Sequence, residues 1–359
     1  MTRTRVLIVE DSLTVRAHLR EVLDGDDEIE VVGEASDGKQ GVELCEMLRP
    51  DVVTLDMALP VMDGQAATEH IMAHCPTPIL IVSSSTNRGE LFSTYEALAA
   101  GALDVMEKPR ANEDGTRWAE NFLSTVKLLA RIKVITHPRA RRMGRAVTPP
   151  QTHRSAETDA IGEAAMPRRF RVVTIGASTG GPAAILRILK HLPADYPLPI
   201  LIVLHLGDPF GMGFAEWFDQ QVKLPVTFAR NGTRVDGPGV WLAPPNKHVV
   251  VREGTLRLSD APERHSCRPS VDVLFESVAS EFGSAALGCV LTGMGRDGAA
   301  GLLAMRRAGA RTIAQDEASS VIYGMPREAV LLDAADHVLP LDEIGPMLIS
   351  AARQRAGAE

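Results

Sequence analysis

Residues 171–189, RVVTIGASTGGPAAILRIL, decide how this chain is read. An unbroken apolar run over residues 172–175 meets a turn of glycines, a serine and a threonine. An apolar pattern at helical spacing follows. The order is strand, tight turn, helix. Such a turn can cradle an anion with backbone N–H groups, or it can hold up a serine nucleophile. Residues 176–180, GASTG, match G-x-S-x-G. They lack the lysine of a phosphate-binding loop and do not fit G-x-G-x-x-G. Ser178 is therefore a candidate nucleophile, and the anion cradle stands as the rival reading.

A serine needs a base. LPILIVLH places His205 at the end of an apolar strand, on the same carboxyl edge as Ser178. His248, near the start of a hairpin strand, and His265, in a polar loop, have less support. A base needs an orienting carboxylate. GCVLTGMGRDG puts Asp297 in a glycine-rich loop after a strand, and RTIAQD puts Asp316 at another strand end. Both remain open on pattern alone. The glycines around Met294 would free backbone N–H groups to face an oxyanion, which slightly favours the Asp297 loop. The chain order Ser, His, Asp differs from the Ser, Asp, His order of α/β-hydrolases, so the elbow can be shared while the fold is not.

Working outward, strand-like and helix-like segments alternate from RVLIVED at the N-terminus to about Ile132, with five of each. The strands are continuous apolar runs, as in a parallel sheet covered on both faces. This predicts a flavodoxin-like, doubly wound α/β domain over residues 4–130. From Arg131 to Arg171 there are ten Lys/Arg against three Asp/Glu, several prolines and little periodicity. Residues 131–169 read as a basic, mobile linker, either a solvated tether or a docking segment for an acidic partner or neighbouring domain. The α/β alternation resumes over residues 170–355. Glu253-Gly254 joins two short alternating runs, a hairpin signal. The second domain is thus expected to be a mostly parallel sheet with an antiparallel addition.

The bulk numbers agree. A chain of 359 residues suits two or three domains. A net charge of −8 argues against a protein built mainly to grip nucleic acid. Cys45, Cys75, Cys267 and Cys289 form no CxxC pair, so they read as reduced thiols rather than a zinc site or disulfide framework. The N-terminus enters a strand without an apolar leader, and no apolar stretch approaches the length of a bilayer span. A cytoplasmic, not membrane-inserted protein is expected. A DNA-binding output half would need a helix-turn-helix with a basic recognition helix, and the second half shows neither.

In the first half, Glu10 and Asp11 follow the first strand and Asp56 ends the third. Three acids at the carboxyl edge repel one another unless a cation joins them, and oxygen ligands of this kind suit Mg²⁺. Lys108 follows the fifth strand and Ser83 ends the fourth. Carboxylate, Mg²⁺, lysine and hydroxyl are the kit for accepting a phosphoryl group on an aspartate. The Lys108-Pro109 bond is a candidate cis peptide.

VEDS, TLDMALPVMDG and EKP make residues 4–130 resemble a response-regulator receiver domain. The resemblance implies phosphorylation at Asp56. It also implies Mg²⁺ held by Glu10, Asp11, Asp56 and the Met57 carbonyl, and phosphoryl contacts from Ser83 and Lys108. Val105 stands where receivers often carry an aromatic switch residue, and Ala58 where many carry a polar one. IGASTGGPAAI, LTGMGRDGAAGL, RPSVDVLF and YGMPREAV make the second half similar to the catalytic domain of the chemotaxis protein-glutamate methylesterase, CheB. HLGDPFGMGF departs from the family's usual HM at the histidine. This resemblance implies Ser178 as nucleophile, His205 as base, Asp297 as orienting acid and the Met294 N–H as oxyanion donor, with no cofactor for the ester reaction. It implies methyl-ester hydrolysis and glutamine deamidation on methyl-accepting chemoreceptors, activated by a CheA-type histidine kinase through a receiver that otherwise covers the cleft.

Overall fold

The computed structural model describes residues 3–84, 87–109, 115–132, 170–206 and 210–356. The first unit alternates β1 (Thr4–Val9), α1 (Leu13–Asp24), β2 (Ile29–Ala35), α2 (Gly38–Leu48), β3 (Val52–Leu55), α3 (Gly64–His74), β4 (Ile79–Ser83), α4 (Arg88–Ala100), β5 (Asp104–Glu107) and α5 (Gly115–Leu129). Its strands form one sheet in the order β2-β1-β3-β4-β5, every pair parallel. The apolar runs are buried on both faces because helices cover both. The first four helices each start on a short polar side chain. Ser12, Asp37, Asp63 and Asn87 accept the N–H of the residue three positions on. Gly64 lets α3 start hard against β3's exit: a Cβ there would lie 2.2 Å from the Asp56 carbonyl oxygen.

The second unit runs β6 (Val172–Ala177), α6 (Gly181–His191), β7 (Pro199–Leu204), α7 (Phe214–Gln221), β8 (Val226–Phe228), β9 (Gly239–Leu242), β10 (His248–Arg252), β11 (Thr255–Ser259), α8 (Val271–Phe282), β12 (Ala286–Val290), α9 (Ala299–Arg307), β13 (Arg311–Gln315), α10 (Met325–Leu331), β14 (His337–Leu339) and α11 (Leu341–Ala356). Seven strands pair in the order β14-β13-β12-β6-β7-β9-β8, all parallel. From β6 the chain first builds outward through β7, then returns to β12 on the other side. Here the strand order reverses, and such a switch point opens a crevice at the carboxyl ends.

The expected antiparallel hairpin is present, and one expectation, a cis Lys108-Pro109 bond, needs correction. The hairpin β10-β11 forms its own two-stranded sheet. Its turn at Glu253 and Gly254, both at positive φ, is tied to α8 through the Glu281 carboxylate. The Lys108-Pro109 bond is trans, and Arg268-Pro269 is the cis peptide among the described residues. The edge strands β8 and β14 are three residues each, too short to show a period in sequence. Of the basic linker expected over residues 131–169, residues 133–169 lie outside the described residues.

The two units share a packed contact. Tyr95 of α4 is fully buried within the second unit's core, its hydroxyl donating to the Phe210 carbonyl at 2.6 Å. Its ring meets Phe214 edge-on at 5.0 Å and Trp217 at 5.6 Å. Trp217 Nε1 donates to Glu96 Oε1 at 2.8 Å. Val105 packs against the cores of both units.

Gly64→Ala is expected to destabilise the first unit by roughly 2 kcal/mol, because the added methyl meets main chain that cannot swing aside. A fall of several degrees in its thermal unfolding midpoint, followed by circular dichroism, checks this; an unchanged midpoint refutes it.

Candidate active site

Ser178 is the first residue after β6, the strand at the switch point. Its N–H donates to the Thr292 carbonyl at 3.0 Å, and its carbonyl accepts the Gly181 N–H at 2.7 Å. Gly180, at φ 74°, turns the chain into α6. The strands on either side of β6 deliver the other candidates. His205 leaves β7, with its N–H on the Ala177 carbonyl at 3.0 Å. The loop carrying Met294 and Asp297 leaves β12 and passes close to the serine: a Cβ on Gly293 would lie 2.7 Å from Ser178 Cβ. The Met294 N–H has no acceptor among the described residues, while its side chain is 57% exposed.

His205 and Asp297 meet. Nε2 of the imidazole lies 2.9 Å from Oδ2 of the carboxylate. An ionised carboxylate only accepts, so Nε2 carries the proton and Nδ1 offers the lone pair. That Nδ1 lies 3.8 Å from Cys267 Sγ. The Ser178 hydroxyl makes no hydrogen bond among the described residues, so it is not joined to the His205–Asp297 pair.

Asp297 is held from several directions. Oδ1 accepts from Ser270 Oγ at 2.8 Å and from the Asp272 N–H at 3.1 Å, and Oδ2 accepts the Val271 N–H at 2.7 Å. These groups begin α8, whose exposed N–H groups and dipole favour an anion. Burial alone would raise the Asp297 pKa, but His205 and these donors hold it below the usual carboxylate range. Burial alone would lower the His205 pKa. The hydrogen bonds and charges of Asp297 and Cys267 outweigh it and push the imidazole up to about 9.

The rivals lie elsewhere. His248 is fully buried, accepting the Ser270 N–H on Nδ1 and donating from Nε2 to the Pro262 carbonyl, a structural role. Asp316 accepts from Ser319 and does not reach His205. His265 donates to Asp272, a second His–Asp pair behind the first. Ser270, Asp272 and Cys267 did not emerge from the sequence as site residues. Ser270 carries a helix N-cap signal ahead of an apolar run; Cys267 carries none.

In the first unit, Glu10, Asp11 and Asp56 bring carboxylate oxygens within 4.8 Å of one another. Lys108 Nζ bridges Glu10 and Asp56 at 2.8 Å each. Burial, with the Asp56 charge added, raises the Glu10 pKa although Lys108 opposes it. The buried Ser83 hydroxyl has no hydrogen-bond partner among the described residues. An oxygen-only donor set with net negative charge and an unsatisfied hydroxyl fits Mg²⁺ and a phosphoryl group.

The contact between the two units falls on the Ser178 turn itself. The Gly180 N–H donates to the Leu103 carbonyl at 3.2 Å, and the Thr179 hydroxyl donates to Asp104 Oδ2 at 3.1 Å.

Comparison with known proteins places both halves. A family described as CheB methylesterase matches residues 173–348, and one described as response regulator receiver domain matches residues 6–118. A protein-glutamate methylesterase/protein-glutamine glutaminase of Anaeromyxobacter dehalogenans is 42% identical over 95% of this chain and 94% of its own length. One of Geobacter metallireducens is 43% identical over 98% and 99%. The crystal structure of the Thermotoga maritima CheB methylesterase catalytic domain is 32% identical, covers 50% of this chain and 98% of its own, and aligns with a TM-score of 0.49.

The His205–Asp297 pair sets a titration. The histidine's folded pKa lies above its ordinary 6.5, so the pair's contribution to stability is complete below that value and is lost as pH rises through about 9. Histidine ring chemical shifts followed against pH are expected to show His205 titrating near 9. In Asp297→Asn one of the two raising partners is gone while burial and Cys267 remain, so the midpoint should fall well below 9. A midpoint that stays put would show that Asp297 does not govern the imidazole.

Proposed function

This chain belongs to the CheB methylesterase family, and we infer that it is a protein-glutamate methylesterase and protein-glutamine glutaminase under the control of its receiver. The observation that supports this is that Ser178, His205 and the Asp297 loop follow the adjacent strands β6, β7 and β12, and that His205 meets Asp297 at 2.9 Å.

The reaction follows from the placements. In its neutral form, whose share grows as pH rises toward about 9, His205 keeps its proton on Nε2 and a lone pair on Nδ1; Nδ1 then takes the Ser178 proton, exchanging its contact with Cys267 for the serine hydroxyl. Ser178 Oγ attacks the side-chain carbonyl of a glutamate methyl ester. The Met294 N–H, free of other acceptors, faces the developing oxyanion; one such donor is worth roughly 3–4 kcal/mol in comparable sites. His205 returns the proton to the departing methoxide, which leaves as methanol. Water, deprotonated by the same imidazole, then releases free glutamate. With glutamine the leaving group is ammonia. Asp297 holds the tautomer and stabilises the imidazolium.

The substrates are methyl-accepting chemoreceptors, and each turnover adds one negative charge to them. The phosphodonor is a CheA-type kinase, and the phosphoryl acceptor is Asp56. Glu10, Asp11 and the Met57 carbonyl would hold Mg²⁺ beside it, with Ser83 and Lys108 contacting the phosphoryl oxygens. Bound Mg²⁺ supplies charge neutralisation for the transfer. Leu103 and Asp104 occupy donors of the Ser178 turn, so the receiver restrains the turn at rest. Phosphorylation need shift that contact by only about 1–3 kcal/mol for a 5–150-fold gain. No helix among the described residues is long and apolar enough to cross a membrane, so the chain meets its receptors from the aqueous side.

Ser178→Ala should abolish methanol release from methylated receptor membranes, by several orders of magnitude. A binding module using the turn as an anion cradle would survive that change with its ligand affinity intact. Asp56→Asn should keep basal release and lose stimulation by a small phosphodonor with Mg²⁺; full stimulation would move the phosphorylation site elsewhere.

A further inference from the structure

Between Met294 and Asp297 the catalytic loop carries Arg296, exposed on the wall of a cavity of about 490 Å³ that His265, Cys267, Met294, Asp297 and Glu328 also line. Its guanidinium is oriented from behind. Arg296 Nε donates to His265 Nδ1 at 3.3 Å, and His265 Nε2 donates to Asp272 Oδ2 at 3.1 Å. Asp272 is fully buried, and its other oxygen accepts the Gly298 and Gly301 N–H groups at 3.0 and 2.6 Å. A carboxylate anchored in the start of α9 thus aims an imidazole, which aims an arginine into the cavity.

The terminal nitrogens of that arginine meet no acid among the described residues. The acids around it are engaged with others: Asp272 with His265, Asp297 with His205, Glu276 with Arg264 in a two-point pair at 2.6 and 2.7 Å, and Glu328 with Arg327 at 3.8 Å. Ordering a long side chain costs entropy, and a guanidinium fork matches a carboxylate in two points. The reacting group, an ester or amide, is uncharged, so the cation has no strong partner in it.

We propose that Arg296 is a specificity-determining residue that binds a carboxylate on the receptor next to the reacting glutamyl side chain. The proposal rests on the methylesterase reading above. It makes the enzyme a reader of acidic surroundings: a glutamyl ester flanked by Asp or Glu is preferred over one flanked by neutral residues. His265 is the positioning residue that keeps the fork pointed at that acid. The Arg296–carboxylate contact lies at the open rim, so it weakens with salt.

The test uses the full-length protein and receptor membranes in which the acids flanking one methylation site are changed, one at a time, to Ala or to Lys. Methanol release gives KM and kcat. Arg296→Ala should raise KM for the unaltered receptor roughly ten-fold, the scale of a charge-assisted pair at a solvated rim, with kcat changed far less. Against the neutralised receptor the same variant should show little further loss. Arg296→Glu should recover efficiency only on the receptor carrying Lys beside the site. His265→Gln should give a smaller rise in KM with the same dependence on the flanking acid. A loss of equal size on acidic and neutralised receptors, or a charge swap that restores nothing, overturns the proposal by reducing Arg296 to a structural residue. Failure of wild type to release methanol, or release undiminished by Ser178→Ala, would instead overturn the esterase reading and this proposal with it.

Discussion

The buried carboxylate of Asp297 is the joint on which the second unit's chemistry turns. One side chain accepts from the α8 N-cap hydroxyl, two N–H groups of α8's first turn and the imidazole of His205. Burying a charge is costly unless its oxygens are fully satisfied. Here they are, by donors from two parts of the fold, the start of α8 and the end of β7. The carboxylate therefore ties the loop after β12 to the start of α8 and to the end of β7. It also fixes which imidazole nitrogen holds the proton, and so which one is free to act as base.

Asp272, one turn into α8, repeats the device. It accepts the Gly298 and Gly301 N–H groups at the start of α9 and holds His265, so two neighbouring carboxylates, Asp297 and Asp272, brace the end of the loop where it enters α9. Such bracing would suit the Met294 N–H in its proposed role as oxyanion donor, since a hydrogen bond aimed at a transient charge costs least when the donor is already in place.

Control is built on the other side of the same serine. The receiver does not plug a distant channel; it takes hydrogen bonds from Thr179 and Gly180, the two residues after the nucleophile. The large burial lies a short way off, where Tyr95 sinks among Phe214 and Trp217. Apolar burial supplies the affinity of the contact, and two polar bonds direct it at the turn. In receivers with an aromatic residue in the fifth strand, that residue can link the phosphorylation site to the far face. Val105 fills the position here and packs against both cores, while the buried aromatic ring is on α4.

Much of this was legible along the chain. Continuous apolar runs ending in Asp56, Ser178 and His205 announced parallel strands, because only a sheet covered on both faces tolerates them. Placement at carboxyl ends followed, and with it two crevices. The choice between Asp297 and Asp316, however, is not written in spacing. Both follow strands, and only the order of strands puts β12 next to β6 and β13 one place further out. Cys267, the Asp272–His265–Arg296 relay and the receiver's grip on Gly180 were equally silent, since each joins residues far apart in the chain through contacts that no local period encodes. Local sequence determined which segments are strands, turns and helices and which residues carry reactive groups. The tertiary structure alone decided which of those groups meet, because strand order and helix docking are settled by packing over the whole core and not by any neighbour in sequence.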